Sequence, residues 1–146
     1  MTDIAAAIAR HKEVLANGMH LLSGLRMRDV GVEGADLAVE LIVDDTLTNP
    51  GGALQGGLVA TLADIVGGRM AMTGLGDQEI VVTSDLTVHY LAGVTGGCAH
   101  AVGTVLRRGR RSVVTRVEVY DGRGGELAAA CQLAFKIVGP SSYGVG

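Results

Sequence analysis

The chain has 146 residues, of which 48% are hydrophobic and 18% are charged, and this proportion is enough for one globular domain with its own core. A net charge of −3 argues against a general nucleic-acid binder. Because the chain has neither a signal-peptide pattern at its N-terminus nor an apolar run long enough to span a membrane, we expect a cytoplasmic protein without a membrane partner.

The first part of the chain predicts a helix and a hairpin. Apolar residues recur at helical spacing over residues 2–22, which predicts an amphipathic helix that covers an edge or a face of the domain. Two strands are predicted over residues 25–32 and 36–43, with the turn between them at Gly34. The second strand alternates apolar and polar residues, and this alternation places Glu40 on the polar face.

Residues 49–69 are predicted to form a loop that leads into a buried helix. Residues 49–52 have the composition of a turn, and the helix begins at about Gly57 and is apolar nearly all round, which is typical of a core helix. A second stripe consists of small residues that would let another backbone approach closely, namely Gly56, Ala60, Ala63, Gly67 and Ala71.

Asp64 is the anomaly of this helix, because it is the only charged residue between Asp45 and Arg69. No cation lies three or four residues away from it on the helix. In a buried helix such a carboxylate is desolvated, which raises a carboxyl pKa toward the range useful for a general base. The alternative is that Asp64 lies on a solvent-exposed face of the helix and has no function. We favour the functional interpretation, because burying an uncompensated carboxylate is costly.

The second half of the chain predicts four strands arranged as a meander. The first runs from Ile80 to Leu91, with Leu86, Val88 and Tyr90 on a core face and Thr83, Asp85, Thr87 and His89 on a polar face. The other three strands are predicted over residues 98–106, 112–120 and 126–138. An arginine-rich turn and an Asp-Gly hairpin turn connect them. Helices on one face of an antiparallel sheet make the predicted fold class α+β, in a single domain.

Cysteine and histidine spacing predicts no metal site, and no cofactor is expected. Cys98 and Cys131 stand alone in predicted strands and are expected to be reduced core residues. His89 and His100 have no partner at ligand spacing and are expected to be ordinary surface histidines. The glycine-rich residues 51–57 lack the Lys-Ser/Thr of a phosphate loop, which argues against nucleotide hydrolysis.

The motif around the central helix has a specific spacing. Asn49 lies six residues before Gln55-Gly-Gly, and Asp64 lies nine residues after Gln55. A Thr-Ser-Asp-Leu-Thr-Val-His-Tyr-Leu strand and an Arg-Gly-Arg-Arg turn follow. Over about residues 35–138 this pattern resembles the hotdog-fold acyl-CoA thioesterases of the phenylacetate-pathway (PaaI) type, in which a His stands at the position of Gln55. The resemblance implies a hotdog domain over residues 25–138, with an antiparallel sheet curved around the long helix.

The remaining segments complete the predicted organisation of the chain. Residues 1–24 form a helical segment before the hotdog domain, and residues 139–146 form a flexible tail.

The resemblance implies acyl-CoA hydrolysis and a role for each matching residue. Asp64 would be the general base or the nucleophile, and Thr83 would help to hold the attacking water. Gly56 would offer its backbone N–H to the thioester oxygen, assisted by Asn49, while Gln55 would orient the acyl group. The positive end of a helix dipole at Gly56 suits a developing oxyanion.

Substrate binding is expected at Gly57 and at the arginine-rich turn. The glycine would let the acyl group approach the helix. Arg108, Arg110 and Arg111 would meet the phosphates of coenzyme A, or they would be an ordinary solvated turn. The sequence does not favour either interpretation of the arginines.

Two other functions stay open at this point. The first is a non-catalytic protein that binds acyl-CoA, an alternative that Gln55 in place of the family's His leaves open. Saturable binding without turnover would identify it. The second is a hotdog hydratase or dehydratase, which would be expected to carry a His near the carboxylate, whereas the helix and its feeding loop contain none.

The spacing of Gly56 and Asp64 predicts a homo-oligomer. These residues are eight positions apart, which corresponds to about 12 Å along a helix. One thioester carbon cannot be reached by both from a single helix. A site that uses both therefore needs two chains, in a dimer or a dimer of dimers.

Overall fold

The computed structural model describes residues 4–18, 20–31 and 37–139. The Gly34 turn and the tail from residue 140 onward lie outside the described residues. No helix in the described ranges is long and apolar enough to cross a membrane. The elements are helices α1 (Ile4–Ala16) and α2 (Gly56–Met72), and strands β1 (Met27–Val30), β2 (Leu37–Ile42), β3 (Ile80–Tyr90), β4 (Cys98–Arg108), β5 (Ser112–Asp121) and β6 (Leu127–Val138).

The six strands form one antiparallel sheet in the order β1-β2-β4-β5-β6-β3. The predicted α+β class, with a sheet around one long helix, is confirmed. The predicted meander of the last four strands is wrong, because β3 pairs with β6 and not with β4. One edge of β4 pairs with β2 and the other with β5. The meander therefore consists of β4, β5 and β6 only, and β3 pairs with the edge of β6 that β5 leaves free.

The small residues of α2 bring the helix close to the sheet. Ala63 is fully buried. A Cβ atom at Gly67 would lie 2.8 Å from Thr115 Oγ1 and 3.2 Å from Leu133 Cδ1, so any larger residue would have to shift these side chains of the sheet. Gly103 on β4 plays the same role from the sheet side, since a Cβ atom there would clash with Met70 Sδ of α2. The close approach predicted from the glycine and alanine stripe is thus present.

A bulge in β3 changes which of its residues face α2. The register against β6 shifts between Thr83 and Asp85, which leaves Ser84 as the extra residue. Thr83 lies opposite the buried Phe135, whereas Asp85 lies opposite Ala134 on the other face. The prediction that Thr83 and Asp85 share one polar face is wrong, because one inserted residue reverses the alternation.

Strand β3 lies at one edge of the sheet, and most of its side chains are exposed. Val88 packs against the core as predicted. Leu86 and Tyr90 were expected in the core as well, but they are 39% and 55% exposed. The difference arises because β3 has a neighbouring strand on one side only, and nothing in the described part of the chain covers its other edge.

The sheet face opposite α2 holds a buried ionic group that sequence analysis did not predict. Glu40 and His100 are 5% and 4% exposed. Arg28 donates to Glu40 Oε2 from Nε at 2.9 Å and from Nη2 at 2.6 Å, and His100 Nδ1 lies 3.5 Å from Glu40 Oε1. The expectation of a surface His100 is wrong, because its neighbours on adjacent strands cover it. His89 is exposed, as predicted.

Replacing Glu40 by Gln is expected to make the stability of the protein depend less steeply on pH in the acid range. The hydrogen bond from Arg28 lowers the pKa of Glu40 below its ordinary value of 4.5. A lowered pKa in the folded state adds stability above the unfolded-state value, and this stability is lost as the pH falls through the folded-state pKa. Melting temperatures should therefore fall less steeply below about pH 4.5 in Glu40→Gln than in the unchanged protein.

Thermal melts across the acid range measure this slope. Asp77→Asn is the matched control, because Asp77 is an exposed loop carboxylate without a hydrogen-bond partner among the described residues. Equal acid slopes for the unchanged protein and Glu40→Gln would contradict the prediction.

Candidate active site

Asp64 and Thr83 form a hydrogen-bonded pair between α2 and β3. Thr83 Oγ1 donates to Asp64 Oδ1 at 2.8 Å, and the bulge at Ser84 makes this contact possible because it turns Thr83 toward the helix. Among the described residues, Asp64 Oδ2 has no hydrogen-bond partner. Asp64 is only partly buried, so the expectation of a fully desolvated carboxylate is wrong. The carboxylate is held through one oxygen and presents the other.

The Asp64–Thr83 pair lies in the wall of a cavity between α1, α2 and β3. Its volume is about 880 Å³, which is near the upper end of the range for small-molecule sites. Its lining is predominantly apolar and includes Ile8, Leu15, Met27, Ile65, Met72 and Phe135. An apolar group attached to a reacting centre at Asp64 would have room there.

The N-terminus of α2 presents free backbone donors. Gln55 is the N-cap residue, and its exposed side chain makes no capping hydrogen bond. The N–H groups of Gly56 and Gly57 have no acceptor among the described residues, as is usual in the first turn of a helix. They can therefore donate to an anionic ligand atom.

Tyr90 holds this first turn and was not recognised from the sequence. Its hydroxyl donates to Gly56 O at 2.6 Å, and its ring would lie 3.5 Å from a Cβ at Gly56. The alternation of β3 placed Tyr90 only on a core face of the strand, because a hydrogen bond over 34 residues of sequence leaves no local pattern.

Asn49 folds the loop that leads into α2. Its Oδ1 accepts hydrogen bonds from the N–H of Gly51 at 2.9 Å and from that of Ala53 at 3.2 Å. Its backbone N–H donates to Ala53 O at 2.8 Å. The side-chain oxygen is thus engaged by the loop, and the amide NH₂ is the group that Asn49 can offer to a ligand.

Within one chain the predicted catalytic residues fall into two groups. Asp64 and Thr83 line the cavity, whereas Asn49, Gln55 and Gly56 do not. The two groups lie at different positions along α2, about 12 Å apart by the rise of a helix. One chain therefore does not bring them together around a single reacting atom.

The arginines of the β4–β5 turn are not equivalent. Arg108 donates to Ala71 O at 3.0 Å and to Met70 O at 3.1 Å, which satisfies carbonyls at the C-terminus of α2. Arg110 and Arg111 are exposed, and their side chains have no hydrogen-bond partner in the described part of the chain. Two of the three arginines predicted to bind phosphate are thus available to a ligand.

The cysteines are free thiols, as predicted. Cys131 is buried, and burial raises its pKa to about 11, so the thiol is neutral and a poor nucleophile. Cys98 is only partly buried. Within residues 4–18, 20–31 and 37–139, no three His, Cys, Asp or Glu side chains are placed to hold a metal ion.

Comparison with known sequences identifies relatives of the region that contains Gln55, Gly56, Asp64 and Thr83. A family model described as the thioesterase superfamily matches residues 51–128. The proofreading thioesterase EntH of Cronobacter turicensis is 29% identical over 106 residues, which cover 69% of this chain and 77% of that protein.

Solved structures share the whole fold. A thioesterase from Haemophilus influenzae superposes with a TM-score of 0.77 at 19% identity and covers 92% of this chain and 94% of its own. At that identity the likeness shows the fold alone, and it confirms the predicted hotdog fold. A Bacillus halodurans protein solved with CoA superposes with a TM-score of 0.75 at 26% identity, over 93% of this chain and 91% of its own.

Proposed function

We propose that this chain, which belongs to the thioesterase superfamily, hydrolyses the thioester bond of an acyl-CoA by water attack assisted by Asp64. The observation that carries the proposal is the hydrogen bond from Thr83 to Asp64 in the wall of a large apolar cavity. It fixes a carboxylate beside a space suited to an acyl group. The likeness to a protein solved with CoA supports coenzyme A as the thiol carrier.

The proposed reaction needs one base and one oxyanion site. Asp64 takes a proton from water, and the oxygen of that water adds to the thioester carbon. The thioester oxygen becomes negative and is stabilised by the N–H of Gly56, at the positive end of α2. The intermediate then collapses, and the coenzyme A thiolate leaves and receives the proton from Asp64. Asn49 assists at the oxyanion and Gln55 orients the acyl group.

The proposed active unit is a homodimer or a dimer of dimers, because the base and the oxyanion site are too far apart in one chain. The exposed edge strand β3 supports this proposal. Its apolar residues Val82, Leu86 and Tyr90 are 43%, 39% and 55% exposed, and an unpaired strand edge with apolar side chains is typical of an interface. In such an assembly Asp64 of one chain acts with Gly56 of another.

Arg110 and Arg111 are the proposed contacts for the coenzyme A phosphates. Both guanidinium groups are exposed and unengaged by the described residues, and guanidinium binds phosphate in a bidentate manner. Arg108 supports them indirectly, because it holds the turn against α2. Gly57 leaves the space beside the helix N-terminus open to the substrate.

A panel of short-chain, medium-chain, long-chain and aryl acyl-CoA esters tests the proposed function. Release of the coenzyme A thiol is measured with a thiol reagent, and we expect kcat/KM of about 10⁴ M⁻¹s⁻¹ or more for the best ester. A non-catalytic binder is the second candidate, which Gln55 in place of the family's His favours. Saturable binding of the esters without thiol release would support that candidate and contradict hydrolysis.

A further inference from the structure

We infer that α1 closes the acyl pocket and selects acyl chains long enough to reach it, an inference that rests on the function proposed above. The stripe of α1 formed by Ala7, Ile8, His11, Lys12 and Leu15 lines the same cavity as Asp64. These positions recur at intervals of three and four residues, so one face of the helix is turned toward the base.

The cavity leaves large apolar side chains in contact with water. Leu15 on α1 is 47% exposed and Met72 at the end of α2 is 40% exposed, and both line it. Exposed apolar surface of this kind is stabilised when an apolar ligand covers it. An acyl chain that starts at Asp64 and continues between α1 and α2 would cover Leu15.

The position of α1 is supported by the segment that follows it. The rings of His11 and His20 meet edge to face with their centroids 5.2 Å apart, and both residues line the cavity. This contact ties the inward face of α1 to the turn before β1. A volume of about 880 Å³ is much more than a short acyl group fills, so medium and long chains are the expected occupants.

The test compares two thioether analogues that cannot be hydrolysed, S-dodecyl-CoA and S-butyl-CoA. Calorimetry gives their affinities for the unchanged protein, for Leu15→Trp and for Leu106→Trp. Leu106 is the matched control, because it is 42% exposed on β4 and does not line the cavity. We expect Leu15→Trp to weaken S-dodecyl-CoA at least tenfold and S-butyl-CoA less than twofold, and Leu106→Trp to change neither.

Three results would overturn the inference: the unchanged protein binds S-dodecyl-CoA no more tightly than S-butyl-CoA, Leu15→Trp weakens both equally, or it weakens neither. Leu15→Met keeps the side-chain volume and should retain the preference for S-dodecyl-CoA. This result would show that a change at residue 15 does not by itself unfold the protein. Because binding is measured without turnover, the outcome is separate from that of the proposed function. A protein that shows the expected preference but does not hydrolyse dodecanoyl-CoA would contradict the proposed function alone.

Discussion

Asp64→Asn is expected to lower the rate of thioester hydrolysis by ~10²–10⁴-fold or more, with the fold and acyl-CoA binding intact. Asn is nearly isosteric with Asp and can still accept the hydrogen bond from Thr83 through its side-chain oxygen. It cannot take a proton from water, so the base of the proposed reaction is missing. Stability should hold, because Asp64 is only partly buried and the variant keeps the hydrogen bond from Thr83.

Turnover on the best ester and thermal melts of both proteins measure this effect. Asp85→Asn is the matched control, because Asp85 lies on the same strand as Thr83 but beyond the bulge, on the opposite face of the sheet. We expect the control to retain full activity. An unchanged turnover number in Asp64→Asn would remove the assigned role. A lowered melting temperature, with activity lost only in proportion to unfolding, would make Asp64 a structural residue.

Local pattern was sufficient to predict the elements of this fold but not how its strands pair. The start of α2 was predicted at about Gly57 and is at Gly56, because a glycine turn followed by apolar residues at helical spacing is a local signal. The place of β3 beside β6 depends on which strand edge remains after β2 has paired with β4. That choice is made between segments far apart in sequence and has no local signature.

The candidate site shows the same division. Asp64 could be found from the sequence because one charge in an apolar helix is conspicuous. Its partner Thr83 was selected by resemblance, but alternation placed it on the wrong face, since nothing marks Ser84 as a bulge residue. The buried pair of Glu40 and His100 was missed for a related reason. In an alternating strand a charged residue is predicted to face solvent. Only the positions of the partner strands show that it is covered.

Gly56→Pro is expected to lower kcat by ~10²–10³-fold without unfolding α2, because it removes the proposed oxyanion donor. Gly56 is the first helical residue, and its N–H has no acceptor among the described residues. Proline is tolerated at this position because no helical hydrogen bond is lost. The preceding residue, Gln55, has φ −58° and ψ 134°, which is close to the polyproline-II conformation that residues before a proline favour.

Gly56→Ala is the control that keeps the N–H. Its added Cβ would lie 3.5 Å from the ring of Tyr90, which is an ordinary van der Waals contact. We therefore expect activity within about tenfold of the unchanged protein, equivalent to ~1.4 kcal/mol of barrier. An equal loss in both variants would assign the effect to the contact with Tyr90. Full activity in Gly56→Pro would show that this N–H is not used.

The two inactive variants together test whether the site is shared between chains. In a dimer that pairs Asp64→Asn with Gly56→Pro, one site carries both changes, while the other combines an intact Asp64 with an intact Gly56 N–H from the partner chain. Random pairing after refolding of an equal mixture makes half of the dimers mixed, so about one quarter of the unchanged activity should return. If each site is instead built within one chain, every site keeps one change and the mixture stays as inactive as its components.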